Sequence, residues 1–205
     1  MANASEFSVG LMHEVVVAGC EMGWEPKDFD SLKRNKPLLT NIRAVMRGTH
    51  TIVPVEHAVD CSADPVLPNG WSLEEHQRGS VVKLEKMPDG LYLDGKKIEF
   101  YLSRKQKKGN IEGNKLRKEL TGKPAVNACV LDYLLEHTEL IPEEWKKDEN
   151  GNTRYLFFWG TVYRDSGGFL SVRCLYWGGC GWRWVHGWLD SYWNAFGPAL
   201  LLASS

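Results

Sequence analysis

Apolar residues recur at helical spacing near the start of the chain and alternate in short aromatic runs near its end. Leu11, Val15, Val16 and Ala18 set one apolar face and predict a helix over 7–22. Pro26 suits a first helical turn, and Leu32, Leu38, Leu39, Ile42, Val45 and Met46 continue the spacing until Gly48. A second helix is therefore expected over 27–47, and residues 1–50 read as a small helical N-terminal region. The segment Thr51 to Cys61, TIVPVEHAVDC, is β-branched and loosely alternating, a strand with Pro54 at an edge or bulge.

Residues 62–97 are rich in Pro, Gly and Asp and read as loop, with short strands at 80–86 and 90–93. Lys96–Lys108 and Asn114–Leu120 read as short helices. A stronger helix runs from Asn127 or Ala128 to His137, with Val130, Leu131, Leu134 and Leu135 on one side, and Pro142 to Trp145 opens a further helical turn. From Arg154 the texture changes. RYLFFWGTVYR and FLSVRCLYW flank the turn-forming Asp165-Ser166-Gly167-Gly168 and predict a hairpin; WRWVHGWLD and GPALLLAS read as further strands. Lys147, Glu149, Gln106 and Met87 are the last residues of their types. The expected fold class is α+β, with a domain over 51–205.

Six of the nine tryptophans lie beyond Arg154. Trp177, Trp182, Trp184, Trp188 and Trp193, with Leu189 and Pro198, look like a fixed frame. Between them stand Gly178, Gly179, Cys180, Gly181, Arg183, Val185, His186, Gly187, Asp190, Ser191, Tyr192, Asn194, Ala195 and Phe196, which share no chemical theme. A rigid aromatic frame with Tyr, Ser, Gly, Asn and Arg between its members is the composition of an evolved binding surface. Some of these tryptophans are expected in a β-core, with Trp182 and Trp184 on one sheet face and Arg183 on the other.

Composition narrows the chemistry. The 205 residues are 43% hydrophobic and 25% charged with a net charge of -1, which argues against a surface wholly built for nucleic acid. No apolar run approaches the roughly 20 residues that span a bilayer, and the first residues lack a basic leader, so a cytoplasmic protein without a membrane span is expected. Cys20, Cys61, Cys129, Cys174 and Cys180 are scattered without a CxxC pair, and read mostly as buried thiols. The spacing of Cys174, Cys180 and His186 matches no metal-ligand rhythm. Glu56-His57 with Asp60 and Cys61 would sit on opposite strand faces, and Glu143-Glu144 fits a helix start better than acid–base work. No nucleophile, phosphate-loop or metalloprotease motif is present. Neither a catalytic residue, a metal nor a cofactor is expected. Arg104, Lys105, Lys107, Lys108, Lys115, Arg117 and Lys118 form a basic stretch, tempered by Glu112 and Glu119 and read as a solvated helical surface.

All fourteen interspersed residues are of types with a codon ending in C or T, whereas Met, Lys, Gln and Glu are absent from the comb. With WGGCGWRWVHGWLDSYWNAFGPALLLAS and the preceding FFWGTVYRDSGGFLSVRCLYW, the chain resembles the variable proteins of diversity-generating retroelements in minimal-genome candidate bacteria. The resemblance is most specific over 154–205. It implies a C-type lectin-like fold with two helices and its first strand beside its last, so that TIVPVEHAVDC would lie near GPALLLAS. It further implies framing residues Trp177, Trp182, Trp184, Trp188, Leu189, Trp193 and Pro198, and diversified positions at the fourteen residues between 178 and 196. A common strand-final GFR-type sequence is missing, as is a calcium-binding Glu-Pro-Asn-type triplet.

The expected function is therefore a non-enzymatic protein presenting a hypervariable surface over about 177–197 to an unknown protein or other macromolecule. Alternatives are a carbohydrate-binding module that stacks sugars on exposed tryptophans and, more remotely, a nucleic-acid regulator using the basic stretch.

Overall fold

The computed structural model describes residues 9–50 and 56–203, and the chain separates into two compact units, 1–55 and 56–205. The first unit holds α1 (Val9–Glu21), α2 (Pro26–Arg34) and α3 (Lys36–Met46). The helix expected over 27–47 is thus two helices. Asn35 leaves helical geometry and caps α3 by accepting the Leu38 N–H at 3.0 Å. Pro37 falls in the first turn of α3, where its missing N–H costs nothing. Trp24 packs on Phe29, whose ring lies against the buried Gly19.

The second unit is α+β, built on an open, mostly antiparallel sheet of ten strands. Its strands are β1 (His57–Asp60), β2 (Ser72–His76), β3 (Val81–Met87), β4 (Gly90–Leu93), β5 (Lys96–Tyr101), β7 (Tyr155–Phe157), β8 (Thr161–Arg164), β9 (Leu170–Trp177), β10 (Trp182–Trp188) and β12 (Ala199–Leu202). A second, two-stranded sheet pairs β6 (Ile111–Glu112) with β11 (Tyr192–Trp193). The helices are α4 (Arg104–Lys108), α5 (Gly113–Leu120) and α6 (Ala128–Glu136).

The order across the sheet is β1-β3-β4-β5-β12-β7-β9-β8-β2. β7 and β8 lie end to end along one edge of β9, and β10 lies along its other edge. Strand alternation divides the core in two. Leu156, Phe158, Leu175 and Leu200 point to one face, where α6 supplies Val130, Leu131 and Leu134. Phe157, Trp159, Val172, Cys174 and Ala199 point to the other, covered by Leu116 and Leu120 of α5. Each such buried aliphatic side chain contributes about 1.5–3 kcal/mol relative to exposure.

Four expectations are corrected. Residues 96–108 are not one helix: Lys96–Tyr101 is a strand with Ile98 buried between half-buried Lys97 and exposed Glu99. Asp94 and Gly95, at φ of 45° and 73°, make the two-residue turn that joins β4 to β5 as a hairpin. The described part of the segment 51–61 does not lie beside the final strand. Its strand, β1, pairs with β3, and β12 is flanked by β5 and β7 instead; residues 51–55 lie outside the described residues. The presumed loop before residue 80 contains β2, paired with β8 through a bulge between Leu73 and Glu75. Finally, 154–164 is two strands. Gly160 passes so close to the chain at 125–127 that a Cβ there would meet the Ala125 carbonyl at 2.6 Å.

Candidate binding surface

The β9–β10 hairpin carries the tryptophan-rich segment. Its turn closes through the Gly178 N–H, which donates to the Gly181 carbonyl at 2.9 Å, with Gly179 at φ 89°. Register then runs from Trp182 opposite Trp177 to Trp188 opposite Ser171. Trp182, Trp184, His186 and Trp188 therefore share the α6 face, and Arg183, Val185 and Gly187 share the α5 face.

The framing residues do not behave alike. Leu189, Trp193 and Pro198 are buried, as is Trp159, which packs on Trp193. Trp193 also rests on Phe157, and its Nε1 donates to the Trp188 carbonyl at 3.1 Å. Trp177 and Trp182 are half-buried edge to face, and the Lys146 ammonium lies 4.0 Å from the Trp177 ring centre. Trp184 and Trp188, counted among the framing residues, are 39% and 49% exposed. The cause is position: β10 has a neighbour on one side only. Trp188 is held by a hydrogen bond from its Nε1 to Asp165 Oδ2 at 3.0 Å.

Beneath Trp184 lies Arg173, a buried cation that no periodicity in the sequence marked. Its guanidinium sits 4.5 Å from the Trp184 ring centre, and Nη1 reaches Asp132 Oδ1 of α6 at 2.8 Å. Burial pushes the Asp132 carboxyl above its ordinary range, against the pull of Arg173 and a hydrogen bond from the Val66 N–H. Burial likewise pushes the neighbouring Tyr163 hydroxyl up to about 12. Trp71, from the loop before β2, completes this face by meeting His186 and Trp184 edge to face.

None of the fourteen interspersed residues is buried: Gly181, His186 and Gly187 are half-buried, and the other eleven are exposed. They nonetheless fall on two sides of the hairpin. On the α5 face, Gly187 forms part of a groove of about 370 Å³ with Tyr155, Phe157, Tyr192, Trp193, Asn194 and Phe196. Gly187 is required there, because a Cβ would meet the buried Trp193 ring at 2.8 Å. On the α6 face, His186 packs between Trp71 and Trp188. Its partial burial lowers the imidazole pKa, opposed by Asp165.

The basic stretch turns out to cradle the groove's loop. Gln106, the inward-facing residue of α4, donates from Nε2 to the carbonyls of Asn194 and Gly197, both at 3.1 Å. The Gly113 and Asn114 N–H groups donate to the carbonyls of Ser191 and Leu189, and Asn114 Nδ2 donates to Asp190 at 2.8 Å. Of the seven cations, Lys115 pairs with Glu112 and Arg117 with Glu75. The signal for Gln106 was present as Ser103-Arg104-Lys105-Gln106, a capping box at the start of α4.

The other groups weighed in the sequence are dispersed. His57 Nδ1 meets the Tyr133 hydroxyl at 3.0 Å, while Asp60 accepts from Ser62 and the Cys61 thiol is pushed by burial up to about 11. Cys174 and His186 point to opposite faces, and no group of three His, Cys, Asp or Glu side chains able to hold a metal occurs among the described residues. Glu143 pairs with Lys146 at the first residue of a 3-10 turn, Glu143–Trp145. A contact unforeseen in the sequence joins Cys129 Sγ to His76 Nε2 at 3.9 Å, with His76 Nδ1 held by Thr161 Oγ1. Burial pushes that thiol up to about 12, which suits a packed thiol and not a nucleophile.

No helix among the described residues is long and apolar enough to cross a membrane. No protein-family model, curated protein or solved structure matches this chain.

Proposed function

We propose that the chain is a non-enzymatic binding protein whose ligand-contacting surface is the β9–β10 turn, β10 and the loop 190–196. The observation that carries this reading is the division of the segment. Leu189, Trp193 and Pro198 are buried, whereas none of the fourteen chemically unrelated residues among them is: eleven are exposed, and Gly181, His186 and Gly187 are half-buried. Tyr192 and Phe196, beside the Gly187 groove, provide rigid aromatic area that costs little ordering entropy on binding. Diversification by a retroelement, on a C-type lectin-like scaffold, explains why fixed and varied residues interleave so closely. The ligand is a protein or another macromolecule.

The test lies in the adjacent DNA and in the protein. Expected are a reverse-transcriptase gene and a near-copy of codons 178–196 that differs only opposite template adenines. A displayed library randomised at Val185, Asp190, Ser191, Tyr192, Asn194, Ala195 and Phe196 should fold and yield binders to unrelated proteins. Lack of the template copy, together with a library that fails to fold, would overturn the proposal.

A carbohydrate module has one observation in its favour, the exposure of Trp184 and Trp188. Against it, Trp182 is packed on the core and Trp71 meets Trp184 at 86°, so these rings form no flat sugar platform.

A further inference from the structure

Among the described residues, the outer edge of β10 is an unpaired ladder. Its inner edge is fixed by two hydrogen bonds, Leu189 N–H to the Leu170 carbonyl at 2.8 Å and Gly178 N–H to the Gly181 carbonyl at 2.9 Å. Antiparallel pairing alternates. Residues 181, 183, 185, 187 and 189 therefore bond inward, and Trp182, Trp184, His186 and Trp188 turn their N–H and C=O groups outward. The Trp188 carbonyl is already taken by the Ser191 N–H and Trp193 Nε1. That leaves three residues, Trp182, Trp184 and His186, with both backbone groups facing out of the sheet.

Among the described residues, the two end strands of the main sheet, β1 and β2, are blunted in the way that keeps edges from pairing with other chains. β2 has a bulge and carries Glu74 and Glu75, and β1 is only four residues long and ends in Asp60. β10 is seven residues long and contains no bulge, proline, lysine or carboxylate. Three of its own side chains, Trp184, Val185 and Trp188, are exposed.

We propose that β10 pairs with β10 of a second copy of this chain, antiparallel about a two-fold axis through Trp184. In that register Trp184 meets Trp184, and Trp182 meets His186 of the second copy. Each pair exchanges two backbone hydrogen bonds, so all the outward groups of the three residues are satisfied and no other residue is needed. Between these pairs Arg183 stands opposite Val185 of the second copy, so no like charges meet across the axis. An off-centre register would either leave outward groups unpaired or call on the occupied Trp188 carbonyl. The hydrogen bonds are made by main chain, so side chains at 183 and 185 tune the strength of the pairing without specifying it. The Gly187 grooves of both copies would then share one continuous sheet. The pairing rests on backbone geometry and stands whether or not the surface is diversified.

The test is sedimentation equilibrium on the full chain, joined with hydrogen exchange of the 182–186 peptide. A reversible dimer is expected by about 100 µM, with amides of Trp182, Trp184 and His186 gaining protection as concentration rises. Val185→Lys puts a cation opposite Arg183 of the second copy and should weaken the dimer by about fivefold or more, whereas Val185→Glu should tighten it to a similar extent. Val185 is exposed, so both variants should keep the monomer's melting temperature. A wild-type chain that stays monomeric over this range overturns the proposal and leaves the edge to a foreign strand. So does a dimer in which the two substitutions act alike, which would place the interface elsewhere. A chain that stays monomeric throughout this range and still binds ligand would defeat this inference while leaving the binding function intact.

Discussion

A Cβ added to Gly187 would stand 2.8 Å from two carbons of the Trp193 ring, which is buried and hydrogen-bonded and has nowhere to move. Gly187→Ala is therefore expected to lower stability by about 1–3 kcal/mol, the range for overpacking. Tyr192→Ser, at a residue 75% exposed, should stay within about 0.5 kcal/mol. Urea denaturation of both variants checks the contrast. Equal losses would count against a rigid frame under a free surface.

The frame itself is graded. Trp193→Ala should cost about 3–5 kcal/mol, because it empties a site walled by Phe157 and Trp159. Trp184→Ala removes a half-open ring stacked on Arg173 and should cost only about 1–2 kcal/mol. Thermal melts of the pair will show whether that order holds.

Gln106 acts on the surface from behind. Gln106→Ala deletes two hydrogen bonds, to the carbonyls of Asn194 and Gly197, and leaves that of buried Gly197 without its donor. A loss of about 1–3 kcal/mol is expected, with faster hydrogen exchange over 191–197. Charge reversal at Lys105, Lys107 and Lys108, which are exposed, should leave stability unchanged.

Asp132 and Arg173 are a buried pair, so removing one partner strands the other. Arg173→Met alone should destabilise by about 3–5 kcal/mol. Combining it with Asp132→Asn should recover part of that loss. A double-mutant cycle on chemical denaturation measures the coupling.

His76 and His186 give acid sensitivity with a definite sign. Burial lowers both from the ordinary 6.5, so the unfolded chain binds these protons at higher pH than the native one. Their contribution to stability is complete above pH 6.5 and is lost as the pH falls through the lowered native values. Replacing both with Gln should flatten the fall in stability between about pH 7 and about pH 5.

Strong local patterns translated directly into structure. The α6 helix, the strands at 81–87 and 90–93 and the β8–β9 hairpin about Asp165–Gly168 lie where apolar spacing and turn residues put them. Weak patterns misled. Lys96, Lys97 and Glu99 disguised β5 as a helix, although Asp94-Gly95 was a legible hairpin turn. The bulge in β2 set Glu74 beside Glu75 and erased the alternation. For the surface, the sequence distinguished fourteen residues from their framing neighbours but ranked all the tryptophans together. It also counted Gly187 as interchangeable, since a short-range pattern cannot see a ring six residues away folding back onto it.

Local chemistry, then, determined which segments form helices, strands and turns, and where aromatic residues interleave with unrelated ones. Only the tertiary structure decided that β12 runs between β5 and β7, that Arg173 lies under Trp184, and that Gln106 supports the loop across the groove. Those outcomes depend on contacts between residues far apart in the chain, whose partners are chosen by sheet order and burial. Sheet order also leaves β10 with one open edge, and that edge exposes two tryptophans of the frame while Trp193 is sealed beneath the groove.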